Sequence, residues 1–180
     1  LGGIGAEDAR PILEKLAGEL PKEPEVQAAL GIARLASGDA AASLGPLERA
    51  RDLDPHTVER HLVLGTVELL LGHVERAERS FRAAIAIDPS SAAAHGDLGS
   101  ALLVRGEVRD GRAHLERAVV LAPRSATYLS NLAYADLLDG KPEEAEKRAR
   151  QAIRLDEKLA SAWLNLGLSL ARRQDRKGAR

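Results

Sequence analysis

The chain has 180 residues and a formal net charge of −1 at pH 7, so no global field draws it to nucleic acid or to an anionic membrane surface. It holds no cysteine, which excludes a disulfide framework and any Cys-ligated metal site. Hydrophobic residues make up 44% and aromatics only 2%, so the core must be built from Leu, Ile, Val and Ala, and Ala and Leu carry the best helix propensities.

The chain opens on Leu1 and contains no Met, and the expectation is a processed product or an excised piece. No basic segment followed by an apolar one marks a signal peptide. The longest apolar stretch, Leu62 to Leu71, is broken by Gly65 and Glu68. It falls short of the roughly 20 residues needed to span a bilayer, so no membrane insertion is expected. Nothing fixes the compartment, and the cytoplasm is slightly favoured. Gly2-Gly3-Ile4-Gly5 follows no strand and lacks the Lys-Ser/Thr ending of a phosphate loop, so it reads as a flexible linker. Residues 1–23 as a whole read as this linker and the second helix of a partial repeat, with Ala9, Leu13, Leu16 and Pro21 in register with the units that follow.

From Pro21 onward the sequence keeps time. Pro21, Pro55, Pro89 and Pro123 stand 34 residues apart, as do Gly38, Gly72, Gly106 and Gly140. Gly31, Gly65, Gly99, Ala133 and Gly167 follow the same interval, and so do Leu30, Leu64, Leu98, Leu132 and Leu166. Ala50, Ala84, Ala118 and Ala152 share the register. So many series in one frame define repeats over 24–57, 58–91, 92–125 and 126–159, with 160–180 holding a first helix and the start of its partner, ending near Ala179.

Each unit reads as two short amphipathic helices. In 24–57, Gly45-Pro46 falls inside the second helix, which should therefore start late or kink. In 58–91, His61, Leu64, Gly65 and Glu68 share one helical face, and Gly72 ends that helix by accepting left-handed backbone. Ala77, Phe81, Ala84 and Ile85 form the face of its partner, which Asp88-Pro89 stops. Gly65 and its equivalents are expected against Ala77 and Ala84, small against small. Thr57, Ser91 and Ser125 stand where the next helix needs an N-cap oxygen. In 92–125, Gly111 replaces an alanine and should loosen the unit slightly.

Trp163, Leu166, Gly167 and Leu170, together with Ala77, Phe81 and Pro89, resemble the tetratricopeptide repeat, whose 34-residue pattern is Trp-x2-Leu-Gly-x2-Tyr, Ala-x3-Phe and Pro. His61 and His95 stand at the Trp position, and Arg34 and Asp136 replace an aromatic. The resemblance implies an all-α, right-handed superhelical solenoid of stacked antiparallel helix pairs, with the first helices lining a concave face. It also implies a non-catalytic scaffold that holds a peptide or helix in that groove, with no cofactor. The groove stripe comprises Ile32, then Glu59, Leu62, Val63 and Thr66, then Asp97 and Ser100, then Asn131 and Tyr134, then Asn165 and Leu168. Its first half is apolar with acidic edges, its second half polar and uncharged, so the expected partner is an apolar or mildly basic protein or peptide. Some family members grip a C-terminal carboxylate with Lys, Asn and Arg. Here Ala28, Ile32, Val63, Ala93 and Asp97 hold those positions, which excludes such a clamp.

Asp97, Asn131 and Asn165 lie one repeat apart and resemble the asparagine ladder of some repeat-bearing glycosyltransferases, or are simply solvated. The alternative to a scaffold is thus a substrate-recruiting repeat region of a larger enzyme. A third reading is self-assembly, a homodimer through the Trp163 end. Among the five histidines, His56, His61, His73, His95 and His114, no pair has i, i+4 metal spacing; His61 and His95 stand one repeat apart as an expected packed pair. Arginines on the second helices alternate with Glu75, Glu78, Glu116 and Glu146, a mixed-sign outer face that does not suit nucleic acid.

Overall fold

A computed structural model describes residues 6–178 and is helical throughout. The expected linker over residues 2–5 and the position of Ala179 lie outside the described residues. The helices form two compact units that divide between Pro89 and Ser90. The first holds α1 (Ala6–Glu19), α2 (Pro24–Ala36), α3 (Ala40–Leu53), α4 (Val58–Leu70) and α5 (Val74–Ile87). The second holds α6 (Ala92–Val104), α7 (Val108–Leu121), α8 (Ala126–Leu138), α9 (Pro142–Leu155) and α10 (Ala160–Gly178). Within each unit, α2 packs on α3, α4 on α5, α6 on α7 and α8 on α9.

The turn between paired helices is set by glycine. Gly38, Gly72, Gly106 and Gly140 have φ of +83°, +78°, +82° and +73°, a region costly for residues with a Cβ. The next N–H reaches back to a carbonyl five residues earlier, as in His73 to Glu68 at 2.8 Å, which satisfies a carbonyl the helix end would leave bare. Gln174 occupies this register in the last repeat, and there α10 runs on to Gly178 as one helix rather than turning into a second. Ser91 and Ser125 cap as expected, accepting from the N–H of Ala94 and Tyr128. Thr57 does not; its hydroxyl donates to Asp54 instead, at 2.5 Å.

Paired helices meet at the first-helix glycine, and the partner there is large rather than small. A Cβ placed on Gly31, Gly65 or Gly99 would lie 2.5, 2.6 or 2.7 Å from the side chain of Leu47, Phe81 or Leu115. Ala77 and Ala84, expected to fill that role, instead flank Phe81 as fully buried neighbours on α5. Gly111 also differs from expectation. A Cβ on it would come within 2.8 Å of the Gly99 carbonyl oxygen, so glycine there lets α6 and α7 approach backbone to backbone.

Proline inside α3 is accommodated by an arginine. The helix starts at Ala40, not late, and continues through Pro46. Proline cannot donate to the carbonyl four residues back, that of Ala42, and the Arg34 guanidinium donates to it at 3.0 Å. The same register of the first helices carries buried charge elsewhere. Glu68 accepts from Ser80 at 2.7 Å and Arg76 at 2.9 Å, while fully buried Asp136 is held between Arg112 and Arg148. Each carboxylate is offset by fixed donors, which its burial requires. At the position where the resembling pattern has Trp, Gln27, His61 and Trp163 each send a side-chain N–H to the carbonyl six residues upstream, Pro21, Pro55 and Glu157. A carbonyl only accepts, so His61 carries its proton on Nε2.

One register therefore yields opposite mutational signs. Gly65→Ala should cost about 1–3 kcal/mol by pushing a methyl into the buried Phe81 ring. Gly167→Ala, with nothing within 4 Å of its Cβ, should stabilise by about 0.5–1 kcal/mol through helix propensity. Urea denaturation followed by circular dichroism reads both; equal effects would refute the packing argument.

Candidate functional site

The face of the first helices turned away from their own partners carries the candidate residues. In the first unit, Ile32 of α2 is 49% exposed, Glu59 and Thr66 of α4 are exposed, and Leu62 and Val63 are half-buried. Thr66 spends its hydroxyl on the Leu62 carbonyl, 2.9 Å away in its own helix. Between α2 and α4 lies a cavity of about 200 Å³, walled by Ala28, Ile32, Thr57, Glu59, Arg60 and Val63 and floored by Leu47 and Ala50 of α3. The structure thus brings Ile32, Glu59 and Val63 together at one opening.

Arg60 holds this opening in shape. Its Nε donates to Asp54 at 3.1 Å, one terminal nitrogen to the Pro24 carbonyl at 3.2 Å and the other to Glu25 at 2.9 Å. The side chain is only 9% exposed and ties the start of α4 to the start of α2. Hydrogen bonds from Thr57 and then Arg60 hold the Asp54 carboxyl below the usual carboxylate range. No cation of the described residues pairs with Glu59, so the mouth of the cavity is net acidic.

In the second unit, the equivalent gap between α6 and α8 is closed. The Tyr128 ring sits where a Cβ on Gly96 would be, 2.6 Å away. Ser100 donates to the Gly96 carbonyl at 2.9 Å and accepts from Asn131 Nδ2 at 3.2 Å. Between α8 and α10, Asn165 donates to the Ser130 carbonyl at 2.9 Å and to its hydroxyl at 3.2 Å, and Ser130 pairs with Ser161 at 2.9 Å. Asn165 was expected on the open face, solvated or bonding a peptide; it is 4% exposed, with its amide donors turned into the fold. Tyr134 and Leu168 are 45% and 41% exposed and stay accessible. Asp97 is half-buried, and loss of solvent pushes its pKa up to about 6.

Arg60 and Tyr128 stand at one register position, which also holds Val26, Ala94 and Ala162, and sequence reasoning passed over both. The signal was present in the variation at that position: a long donor in one repeat and a ring in another, against small residues elsewhere. A larger recess of about 570 Å³ opens between α7 and α9 over Leu129 and Leu132, away from the first-helix face. Its rim carries both signs in Glu116, Glu144, Lys147 and Arg148, so it selects no charge in a partner. His95 stacks on His114 within its own unit, Nδ1 to Nδ1 at 3.0 Å. No three metal-ligating side chains converge among the described residues, and no described helix is long and apolar enough to cross a membrane.

Antiparallel helix pairs joined by glycine turns at a 34-residue period define a helical-repeat protein. The chain belongs to the tetratricopeptide repeat family, whose model matches residues 28–94, 62–126, 97–140 and 130–180. It is accordingly a protein-interaction scaffold in general character. Solved structures share the fold. MamA (residue 41 to its end) from Desulfovibrio magneticus RS-1 is 22% identical, covering 86% of this chain and 88% of that one, with a TM-score of 0.77. The thermophilic protein TTC0263 of Thermus thermophilus is 21% identical over 92% and 91%, with a TM-score of 0.75. One chain of the APC/C hetero-tetramer Cut9-Hcn1 is 16% identical, covering 94% of this chain and 34% of that one, at a TM-score of 0.82. No curated protein matches in sequence.

Because burial raises the Asp97 pKa above its unfolded value of 3.8 to about 6, the folded chain binds more protons than the unfolded one between those values. Stability on this account is greatest below pH 3.8 and falls as pH rises toward 6. Asp97→Asn should therefore stabilise the protein relative to wild type near pH 7 and much less near pH 4. The two urea midpoints measured at both pH values check it.

Proposed function

We propose that the chain binds a segment of another protein on its first-helix face, and that it does so as a scaffold without chemistry of its own. The observation that carries this reading is the cavity between α2 and α4: open, walled by Ile32 and Val63, and held in place by Arg60. At about 200 Å³ it is smaller than the roughly 300–1,000 Å³ of small-molecule sites and suits one side chain of a larger ligand. Exposed Tyr134 and Leu168 offer apolar contact on the same face of the second unit, where Tyr is a frequent hot spot. Among its described residues the face displays acids and no free cation, which favours an apolar or mildly basic partner. The membership of a similar chain in a hetero-tetramer accords with a binding role.

Quantitative affinity capture tests the reading, comparing wild type with a Leu62→Glu, Tyr134→Ala double variant of unchanged helicity. Partners should be lost from the variant; partners retained in full would move recognition to another face.

A second reading rests on α10. Trp163 and Leu170 are 52% and 43% exposed and Gly167 meets nothing, whereas their register equivalents Leu129, Ala133 and Asp136 are buried. This exposure supports the reading that a second copy of the chain packs on that face. Trp163→Ser should then convert a dimer to a monomer in light scattering, and a monomeric wild type would end the idea.

A further inference from the structure

The α2–α4 cavity differs from the other first-helix gaps within the two units for reasons that specify its ligand. Three such gaps share one register. Tyr128 fills the one between α6 and α8, and the Ser130, Ser161 and Asn165 hydrogen bonds close the one between α8 and α10. Between α2 and α4 the facing residues are Ala28, which is too small to fill the gap, and Arg60, whose guanidinium is drawn aside to Pro24, Glu25 and Asp54. The void is therefore built into the unit. The Arg60 charge does not reach into it, because its three nitrogens bond to Asp54, Pro24 and Glu25.

We infer that this cavity receives a single aliphatic side chain of an extended partner segment, and that Glu59 at its mouth pairs with a lysine or arginine next to that side chain. This rests on the reading that the first-helix face takes a protein segment, and it adds the chemistry of the segment. Size selects the aliphatic group: about 200 Å³ walled mainly by Ala28, Ile32, Leu47, Ala50 and Val63 gives a polar tip little to bond to. Charge selects its neighbour. Glu59 lines the cavity itself, is exposed, and has no cation among the described residues, while Arg60 is already shared by two carboxylates. An acidic ligand residue would meet Glu25 and Glu59 with no free positive group to offset them. A preformed, braced cavity also lowers the cost of ordering the site on binding.

The test selects phage-displayed random linear peptides against immobilised wild-type chain near neutral pH. It then measures synthetic versions of the enriched peptides by fluorescence anisotropy. Enriched sequences should share Leu, Ile or Val adjacent to Lys or Arg. Replacing the aliphatic residue with Ala should weaken binding about tenfold or more. Replacing the base with Ala, or the receptor's Glu59 with Gln, should weaken it about two- to fivefold, and the two changes together no further than one alone. Ile32→Lys, at an exposed position that should not disturb folding, and Ala28→Phe, which fills the void, should each abolish the aliphatic preference. Peptides that lose binding with Ile32→Lys yet show no aliphatic–basic pairing would overturn the inference and leave the first-helix reading standing. Peptides indifferent to Ile32→Lys and to the Leu62→Glu, Tyr134→Ala pair, or a library yielding no binder, would overturn both.

Discussion

The seating of one large side chain on one glycine sets the geometry of the chain. Leu47, Phe81 and Leu115 each occupy the space a Cβ would take on Gly31, Gly65 and Gly99, so the two axes of a pair can approach only because the methyl is missing. In the fourth pair the same register holds Ala133 and Ala149, both fully buried, small on small. The volume at this contact is conserved by exchange between the two sides, as close packing demands. With the pair spacing fixed here, and its turn fixed by a left-handed glycine, each first helix keeps a set orientation on its own partner. Its outward stripe is then free to vary without disturbing the fold.

That freedom is what differentiates the repeats. The position occupied by Arg60 in α4 and Tyr128 in α8 faces the preceding first helix rather than its own partner. A ring there closes the gap by filling it. A guanidinium bonded at three points holds the gap open by bracing its edges. Both residues bury most of their surface, and both leave a rigid result. The difference between the filled α6–α8 gap and the open α2–α4 cavity thus turns on which side chain stands at this position and on what it bonds to.

The period, the glycine turns and the serine caps were legible in the sequence because each is a local rule: a backbone angle, a donor three residues on, a spacing. Thr57 is misread locally, its hydroxyl turning back to Asp54; the other misread features depend on a partner in a neighbouring helix. Pro46 should break a helix by local rules, and does not because Arg34, from the preceding helix, takes the carbonyl that proline leaves bare. Gly111 looks like a weak residue in a helix until the Gly99 carbonyl is found 2.8 Å from where its Cβ would be. Asn165 sits on the stripe the helical wheel assigns to the groove, yet Ser130 on the neighbouring helix turns its amide inward. For the candidate site, the apolar and acidic members Ile32, Glu59 and Val63 could be read from the stripe. The cavity they border could not, since it exists through Ala28 and Arg60 acting across two helices.

A cavity for one side chain cannot by itself make a tight complex. Burying a single aliphatic group yields roughly 1.5–3 kcal/mol, while association costs several kcal/mol in lost freedom. On the proposed reading recognition is distributed, and this site would contribute registration: a ligand with one aliphatic residue in place would present its neighbours to Glu59 and to the exposed surface of α4 in a fixed phase. The Arg60 brace matters in that role because a gap free to breathe would accept side chains in several positions and fix none. Registration, rather than affinity, is what a rigid repeat with this gap would supply to such a ligand.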